Sequence, residues 1–125
     1  MAYGDVGGPV TALIITCRTS ASEAVDIKRG DAVKLIGPYE ITNELDAGDR
    51  VFGQALTDCA RNGAAVPVRV RGVCDFRYDG AAPEVDGLKG VVGAPGGAVT
   101  AASEGDVVGV VIKVNSAAQT LEALL

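Results

Sequence analysis

The segment at residues 66–78, VPVRVRGVCDFRY, alternates between two kinds of side chain over thirteen positions. A period of two is typical of a β-strand with one buried face. One alternate set is mainly apolar and is expected to face the core: Val66, Val68, Val70, Gly72, Cys74, Phe76 and Tyr78. The other set is mainly polar: Pro67, Arg69, Arg71, Val73, Asp75 and Arg77. Because the segment is longer than an ordinary strand, we expect a bend at Gly72, where the missing side chain lets a strand turn a barrel corner.

The rest of the chain repeats this strand-forming character in shorter pieces. Seventeen glycines and five prolines divide 125 residues into segments rich in Val, Ile and Thr. This spacing predicts one all-β domain, a small barrel or sandwich. Further strands are expected at residues 10–17, 32–36, 39–42, 51–57, 90–92, 98–101 and 107–114.

Two of these strands carry specific predictions about which side chains share a face. In residues 107–114 one face is expected to hold Val108, Val110, Ile112 and Val114, with Lys113 opposite. In residues 10–17 Leu13 and Ile15 are placed on one face and Ala12 and Ile14 on the other. A strand that is apolar on both faces is either central in a sheet or covered by another subunit.

Two segments allow helix or strand. Residues 54–61 lead into Asn62-Gly63, which is typical of a helix stop or of a hairpin turn, and the flanking strands favour the hairpin. Residues 116–125 combine a Ser-x-x-Gln box with an alternating Leu121, Ala123, Leu125 face, and we predict a closing strand.

A Gly-Asp-x-Val repeat begins three predicted strands, at residues 30–33, 48–51 and 105–108. Glycine allows the positive φ of a turn and Asp caps the turn with its carboxylate, so turn chemistry is the favoured interpretation. One alternative is a divalent-metal site formed by Asp31, Asp49 and Asp106, which requires the three carboxylates to converge. Another is receptor recognition of Arg29-Gly30-Asp31, a weaker reading of a three-residue match.

Composition excludes several classes of function. Sixteen acidic and eleven basic residues give a net charge of −5, unlike a protein that binds nucleic acid through phosphates. With no histidine, neither a His-dependent nucleophile nor a His-containing zinc site is possible. Cys17, Cys59 and Cys74 lack C-x-x-C spacing and are expected to be small buried side chains in a reducing cytoplasm. We predict no catalytic residue, metal or cofactor, and neither a secretion signal nor a membrane span.

The polar face of residues 66–78 is the main candidate for binding. Arg69, Arg71 and Arg77 lie along one strand face of an acidic chain, and arginine is favoured at protein interfaces. A solvated outer face explains the same pattern equally well. The doubly apolar segment that contains Leu13 and Ile15 leaves surface to be covered and predicts a symmetric homo-oligomer. Leu13, Ile15 and the three arginines are the candidate residues for a subunit or partner interface.

The order of several segments resembles the capsid-cement, or head-decoration, family of tailed bacteriophages. The segments are AVKLIGPYEITNELDAGDRVFGQAL, NGAAVPVRVRGVCDFRY, GLKGVVGAPGGAV and the terminal GDVVGVVIKVNSAAQTLEALL. The resemblance implies a β-barrel or β-tulip subunit of residues 10–125 that assembles, commonly as a trimer, on the outer surface of the mature capsid. It implies a non-enzymatic virion protein made in the host bacterial cytoplasm, whose partner is the major capsid protein.

The resemblance also implies an extended N-terminal arm at residues 1–9 that orders along the capsid. Its candidate contacts are Ala2, Tyr3, Gly4, Asp5, Val6 and Val10. Two other functions remain open: a β-sandwich module that binds carbohydrate or a host surface, and a small barrel enzyme that uses Asp and Glu alone.

Overall fold

The structure, a computed structural model, describes residues 12–125. The arm predicted at residues 1–9, with Val10, lies outside the described residues. The described part is all-β and includes a closed five-stranded barrel, which confirms the predicted fold class. Its strands are β1 (Leu13–Arg18), β2 (Ala32–Gly37), β3 (Glu40–Thr42), β4 (Gly53–Ala55), β5 (Ala65–Arg71), β6 (Val73–Arg77), β7 (Gly90–Ala94), β8 (Ala98–Ala102), β9 (Val110–Asn115) and β10 (Thr120–Leu124).

The first half of the chain forms the barrel, with strand order β1-β3-β2-β4-β5 and β5 pairing back to β1. All neighbours are antiparallel except β1 and β3, which are parallel where Arg18 faces Glu40. The barrel interior is filled mainly by β-branched and small side chains, which suit a narrow barrel. They are Cys17, Ile27, Val33, Ile41, Ala55, Val66, Val68 and Val70.

The second half forms a three-stranded sheet, β6-β10-β9, and the hairpin β7-β8. Two isolated bridges, Tyr78 with Val99 and Val91 with Val108, connect the sheet to the hairpin on both sides. The strands therefore surround a second core. Its buried members are Leu45, Val51, Cys74, Phe76, Tyr78, Val91, Val99, Val111, Leu121 and Ala123, together with Ala32 from the barrel.

Residues 66–78 run through both halves and bend where the sequence predicts. Strand β5 ends at Arg71, β6 begins at Val73, and Gly72 between them has φ +116°. The alternation keeps its phase through the bend, because every inward position on either side of Gly72 is buried. The backbone N–H of Leu125 donates to the carbonyl of Gly72 at 2.9 Å, so the end of the chain closes against the corner.

The closing strand predicted in residues 116–125 is confirmed as β10, with Leu121 and Ala123 in the core. Residues 54–61 contain no helix, as predicted. The Asn62-Gly63 turn, however, lies in a nine-residue connection between β4 and β5, and is not a tight two-residue hairpin. Asn62 Nδ2 instead donates to the carbonyl of Ser20 at 2.8 Å, which ties this connection to the loop after β1.

The predicted face of residues 107–114 is wrong. The pairing of β10 with β9 shifts between Glu122 and Ala123, which face Lys113 and Val111. Ile112 is therefore the extra residue of a β-bulge, and a bulge reverses the side-chain phase of a strand. Val111 is buried, whereas Val110 and Ile112 are exposed.

The corner at Gly72 predicts a specific loss of stability. At φ +116° an L side chain is strained, so Gly72→Ala is expected to lower the free energy of unfolding by about 1–3 kcal/mol. Gly37→Ala is the matched control, because Gly37 also ends a strand but an added Cβ there meets its nearest atom at 3.7 Å. Urea denaturation should show Gly37→Ala within about 0.5 kcal/mol of wild type. Equal stability of the two variants would contradict the role given to the corner.

Candidate functional site

The carboxylate of Asp31 is a buried junction between the two halves of the molecule. The turn at Gly30, with φ +94°, directs Asp31 inward, where its side chain is 3% exposed. Oδ2 accepts from the backbone N–H of Lys28 at 2.9 Å and from Asn43 Nδ2 at 2.8 Å, and Oδ1 accepts from Arg77 Nη2. A Cβ added at Gly97 would lie 2.7 Å from Asp31 Cγ, so glycine is required at that approach.

Arg77, one of the predicted interface arginines, takes part in this junction. Its Nη2 also donates to the carbonyl of Gly96 at 3.1 Å, in the turn between β7 and β8. Arg77 thus connects β6, the barrel and the β7-β8 turn. About half of its side chain, 56%, remains exposed beside the junction.

The Gly-Asp repeat serves turns. Gly30, Gly48 and Gly105 all have positive φ, as a turn requires. Since the Asp31 carboxylate is buried and hydrogen-bonded, the Arg29-Gly30-Asp31 tripeptide does not present it to a receptor. Residues 12–125 contain no group of three potential metal-ligating side chains, so Asp31, Asp49 and Asp106 do not converge there.

Arg69 and Arg71 lie on the same strand but in different environments. Arg71 is exposed, and its Nη1 donates to the carbonyl of Val70 at 2.7 Å. Arg69 is half-buried, and its Nη1 donates to the carbonyl of Val73 at 3.2 Å. The Nε atom of Arg69 is buried and has no hydrogen-bond partner among residues 12–125.

Leu13 and Ile15 do not share a face as the sequence predicts. The pairing of β1 with β5 is irregular between Leu13 and Ile14, and this breaks the alternation. Leu13 and Ile14 are both about half exposed, at 51% and 50%, while Ile15 packs against the barrel core. In register, Leu13 is opposite Arg71 and Ile14 is opposite Arg69, so apolar and arginine side chains adjoin on the outer face of the barrel.

A second exposed apolar row lies across the Gly72 corner. Leu124 of β10 is flanked in register by Val73 of β6 and Val110 of β9. Leu124 and Val110 are 48% and 38% exposed. We refer to the residues on the solvent side of the corner as the corner surface: Leu13, Ile14, Arg71, Val73, Val110 and Leu124.

The sequence did not single out Ile14, Val73, Val110 or Leu124 as members of this surface. Leu124 was identifiable, because it is out of phase with the buried Leu121 and Ala123 and the half-buried Leu125. Val110 was hidden by the bulge at Ile112, which alternation does not reveal.

The cysteines behave as apolar core groups. Burial raises the pKa of the Cys74 thiol to about 11 and also raises the pKa of Cys17. Both thiols are therefore protonated at neutral pH and are weak nucleophiles. Cys59 is half-buried, and its Sγ lies 3.6 Å from the carbonyl of Arg61.

A scan against protein-family models and a search of curated proteins found no match to this chain. Among the described residues there is no helix with the length and apolar character needed to cross a membrane.

The junction predicts that Asp31→Asn is strongly destabilising. The amide nitrogen introduced at one side-chain position would face a hydrogen-bond donor, either Arg77 or the Lys28 and Asn43 pair. We expect a loss of about 2–3 kcal/mol in the free energy of unfolding. Asp26→Asn is the control, because Asp26 pairs with Lys28 at the surface, with both side chains mostly exposed. That variant should change stability by less than about 0.5 kcal/mol in the same denaturation experiment.

The Lys34–Asp49 pair predicts a pH-dependent contribution to stability. Lys34 Nζ donates to Asp49 Oδ2 at 2.7 Å, and this bond raises the pKa of Lys34 and lowers the pKa of Asp49. The backbone N–H of Asp46, which donates to the same oxygen, lowers the pKa of Asp49 further. Because the pKa of Asp49 is lower in the folded than in the unfolded chain, this carboxylate stabilises the fold at pH values above its unfolded-state pKa. That contribution is lost as the pH falls through its folded-state pKa. Because the pKa of Lys34 is raised by folding, the contribution of this lysine to stability is present below its unfolded-state pKa and is lost as the pH rises through its folded-state pKa.

The stability advantage of wild type over Lys34→Met should therefore be present at pH 7 and disappear well below about pH 4, where Asp49 is protonated. Denaturation curves at several pH values test this. Lys28→Met, which removes the exposed partner of Asp26, is the control and should show no comparable dependence. An advantage of wild type over Lys34→Met that is constant down to pH 2 would contradict the assignment.

Proposed function

We propose that this chain is a non-enzymatic virion protein that binds the outside of the mature phage capsid and stabilises its lattice. Its partners in this proposal are the major capsid protein and further copies of itself in a trimer. The proposal starts from the resemblance in the order of segments to head-decoration proteins. The corner surface is the observation on this molecule that best supports it.

The corner surface has the composition of a protein-binding patch. Its apolar members Leu13, Ile14 and Leu124 are each about half exposed, and Arg71 lies directly opposite Leu13. Exposed apolar side chains next to arginine are enriched at protein interfaces. Beyond the apolar row, the register places Asp75, Glu122 and Lys113 side by side, which provides a charged border.

A second exposed apolar group favours cyclic assembly. Leu35, Ile36 and Tyr39, on β2 and the turn into β3, are 48%, 43% and 66% exposed. A trimer with threefold symmetry joins two different surfaces of each subunit. In such a trimer the corner surface of one subunit would pack against the β2–β3 turn of the next subunit.

The rigidity of the fold suits a mechanical role. A closed barrel and a second core share the bent strand β5-β6, so the contact residues are carried on strands with fixed register. A ligand that binds only the mature lattice stabilises that lattice by mass action. A trimer that holds several capsid subunits at once gains further from effective concentration, so weak single contacts suffice.

Binding to capsids tests the proposal. Purified protein is mixed with expanded and unexpanded capsids of the source phage that lack it, and bound protein is measured after sedimentation. We expect saturable binding to expanded capsids only, together with a gain in their heat resistance. An absence of binding and an unchanged heat resistance would refute the proposal, and binding to a glycan array would support the carbohydrate module instead.

The corner surface predicts which substitution disrupts this binding. Leu124→Asp places a charge in the exposed apolar row and is expected to weaken capsid binding or trimer formation at least tenfold, because desolvating an unpaired carboxylate is costly. Leu88→Asp is the control, since Leu88 is 77% exposed and lies outside the corner surface. Both variants should retain the circular dichroism of wild type, and equal loss of binding in both would contradict the role of this surface.

A further inference from the structure

We propose that the seam between the barrel and the β6-β10 sheet contains a pocket that binds a carboxylate group. The pocket has a volume of about 410 Å³. Its polar lining consists mainly of three arginines, an amide and a single acid. These residues are Arg29, Arg69, Arg77, Gln54, Asp75 and Thr120.

The fold brings these residues together from separate parts of the chain. Arg29 comes from the turn before β2, and its backbone N–H donates to Asp58 Oδ1 at 2.7 Å. Arg69 comes from β5 and is paired in register with Gln54 of β4. Arg77 comes from β6 and faces Thr120 of β10. The pocket therefore exists only when the two halves of the molecule are docked.

Gln54 forms a fixed wall of the pocket. Its side chain is buried, and Nε2 donates to the carbonyls of Gly30 and Asp75. The bond to Gly30 holds the side chain against the barrel, and the bond to Asp75 joins the barrel to β6. A preformed wall lowers the entropic cost of ligand binding.

The charges of the pocket favour an anion. Three arginines line it against one aspartate, Asp75. Arg77 is already paired with Asp31, which leaves Arg29 and Arg69 as the main sources of positive charge. The Nε atom of Arg69 has no partner among the described residues but is itself buried, so a ligand in the pocket would meet the terminal nitrogens of Arg69 and Arg29.

The balance of charge selects a carboxylate over a phosphate dianion. Asp75 is part of the pocket lining, and its register neighbour Glu122 is itself flanked by Lys113 on its other side. The chain as a whole carries a net charge of −5. A second negative charge on a ligand is attracted by the arginines as well as repelled by Asp75, and with Arg77 already paired with Asp31 a planar monoanionic carboxylate, which matches the fork of one arginine, is the better fit.

In a protein partner, this ligand would be the side chain of an Asp or Glu. That step rests on the proposed function, which makes the capsid shell the source of the acidic side chain. The binding of a free carboxylate does not depend on it. The pocket can therefore be tested on the isolated protein.

The test is a titration with sodium acetate at pH 6.5, followed by the Nε–Hε signals of the arginines in NMR spectra. Sodium chloride holds the ionic strength constant. We expect saturable shifts at Arg69 and Arg29 with no comparable shift at Arg71, whose side chain lies outside the pocket. Uniform shifts at all arginines, or shifts that chloride reproduces, would overturn the proposal.

Two exposed arginines provide matched variants. Arg29→Gln should weaken acetate binding at least fivefold, whereas Arg71→Gln, with the same change in net charge, should leave it within a factor of two. Equal weakening would show a general charge effect and refute the site. A parallel titration with inorganic phosphate at pH 7.5 tests the ligand class, and phosphate binding tenfold tighter than acetate would refute the carboxylate assignment.

These outcomes are separate from those of the capsid experiment. Failure of acetate to bind leaves the corner surface and the capsid proposal standing. Absence of capsid binding with a positive acetate titration would leave the pocket in place and remove the capsid as its partner.

Discussion

The structure depends on one strand that supplies a wall to two cores. Val66, Val68 and Val70 fill the barrel, and after the bend Cys74 and Phe76 fill the second core with the same inward phase. A strand can supply buried side chains to two successive cores only if the inward positions keep the same phase on both sides of its bend. Gly72 makes this possible because it occupies an inward position without a side chain and tolerates φ +116°. A bend that inserted one extra residue would instead have turned Cys74 and Phe76 toward solvent.

Alternation predicted the faces of strands whose own side-chain phase is unbroken, and it failed where a shift in the ladder changes that phase. The bend at Gly72 and the closing strand β10 follow from side chains whose phase is unbroken in the structure. At Ile112 and between Leu13 and Ile14 the ladder shifts, and the predicted faces are wrong at both places. Whether a bulge forms depends on the pairing with the neighbouring strand, so the sequence pattern of the bulged strand alone does not reveal it. The shift in the ladder exposes Leu13, and the bulge exposes Val110, so the faces predicted from the sequence revealed only part of the candidate surface.

Three polar side chains hold the two halves of the molecule together. Asp31, Gln54 and Arg77 each connect an element of the barrel with β6 or the turn between β7 and β8. The alternation of residues 66–78 predicted that Arg77 points away from the core, and it does so. Alternation contains no information about what lies on the outer side, which here is the carboxylate of Asp31. For this reason the sequence could not distinguish Arg77, which joins parts of this chain, from Arg71, which is left exposed at the corner.

The net negative charge of the molecule and its local clusters of arginine would make two kinds of association depend on ionic strength in opposite ways. At low ionic strength, copies with a net charge of −5 repel each other, so the proposed trimer would rely on apolar contacts such as Leu13, Ile14 and Leu124. Added salt screens that repulsion and therefore favours assembly. Contacts made by Arg29, Arg69 or Arg71 with an acidic partner are screened by the same salt and weaken. The two proposed interfaces would thus respond to ionic strength in opposite directions. The first joins apolar side chains on two acidic molecules, and the second joins arginines to an acidic group.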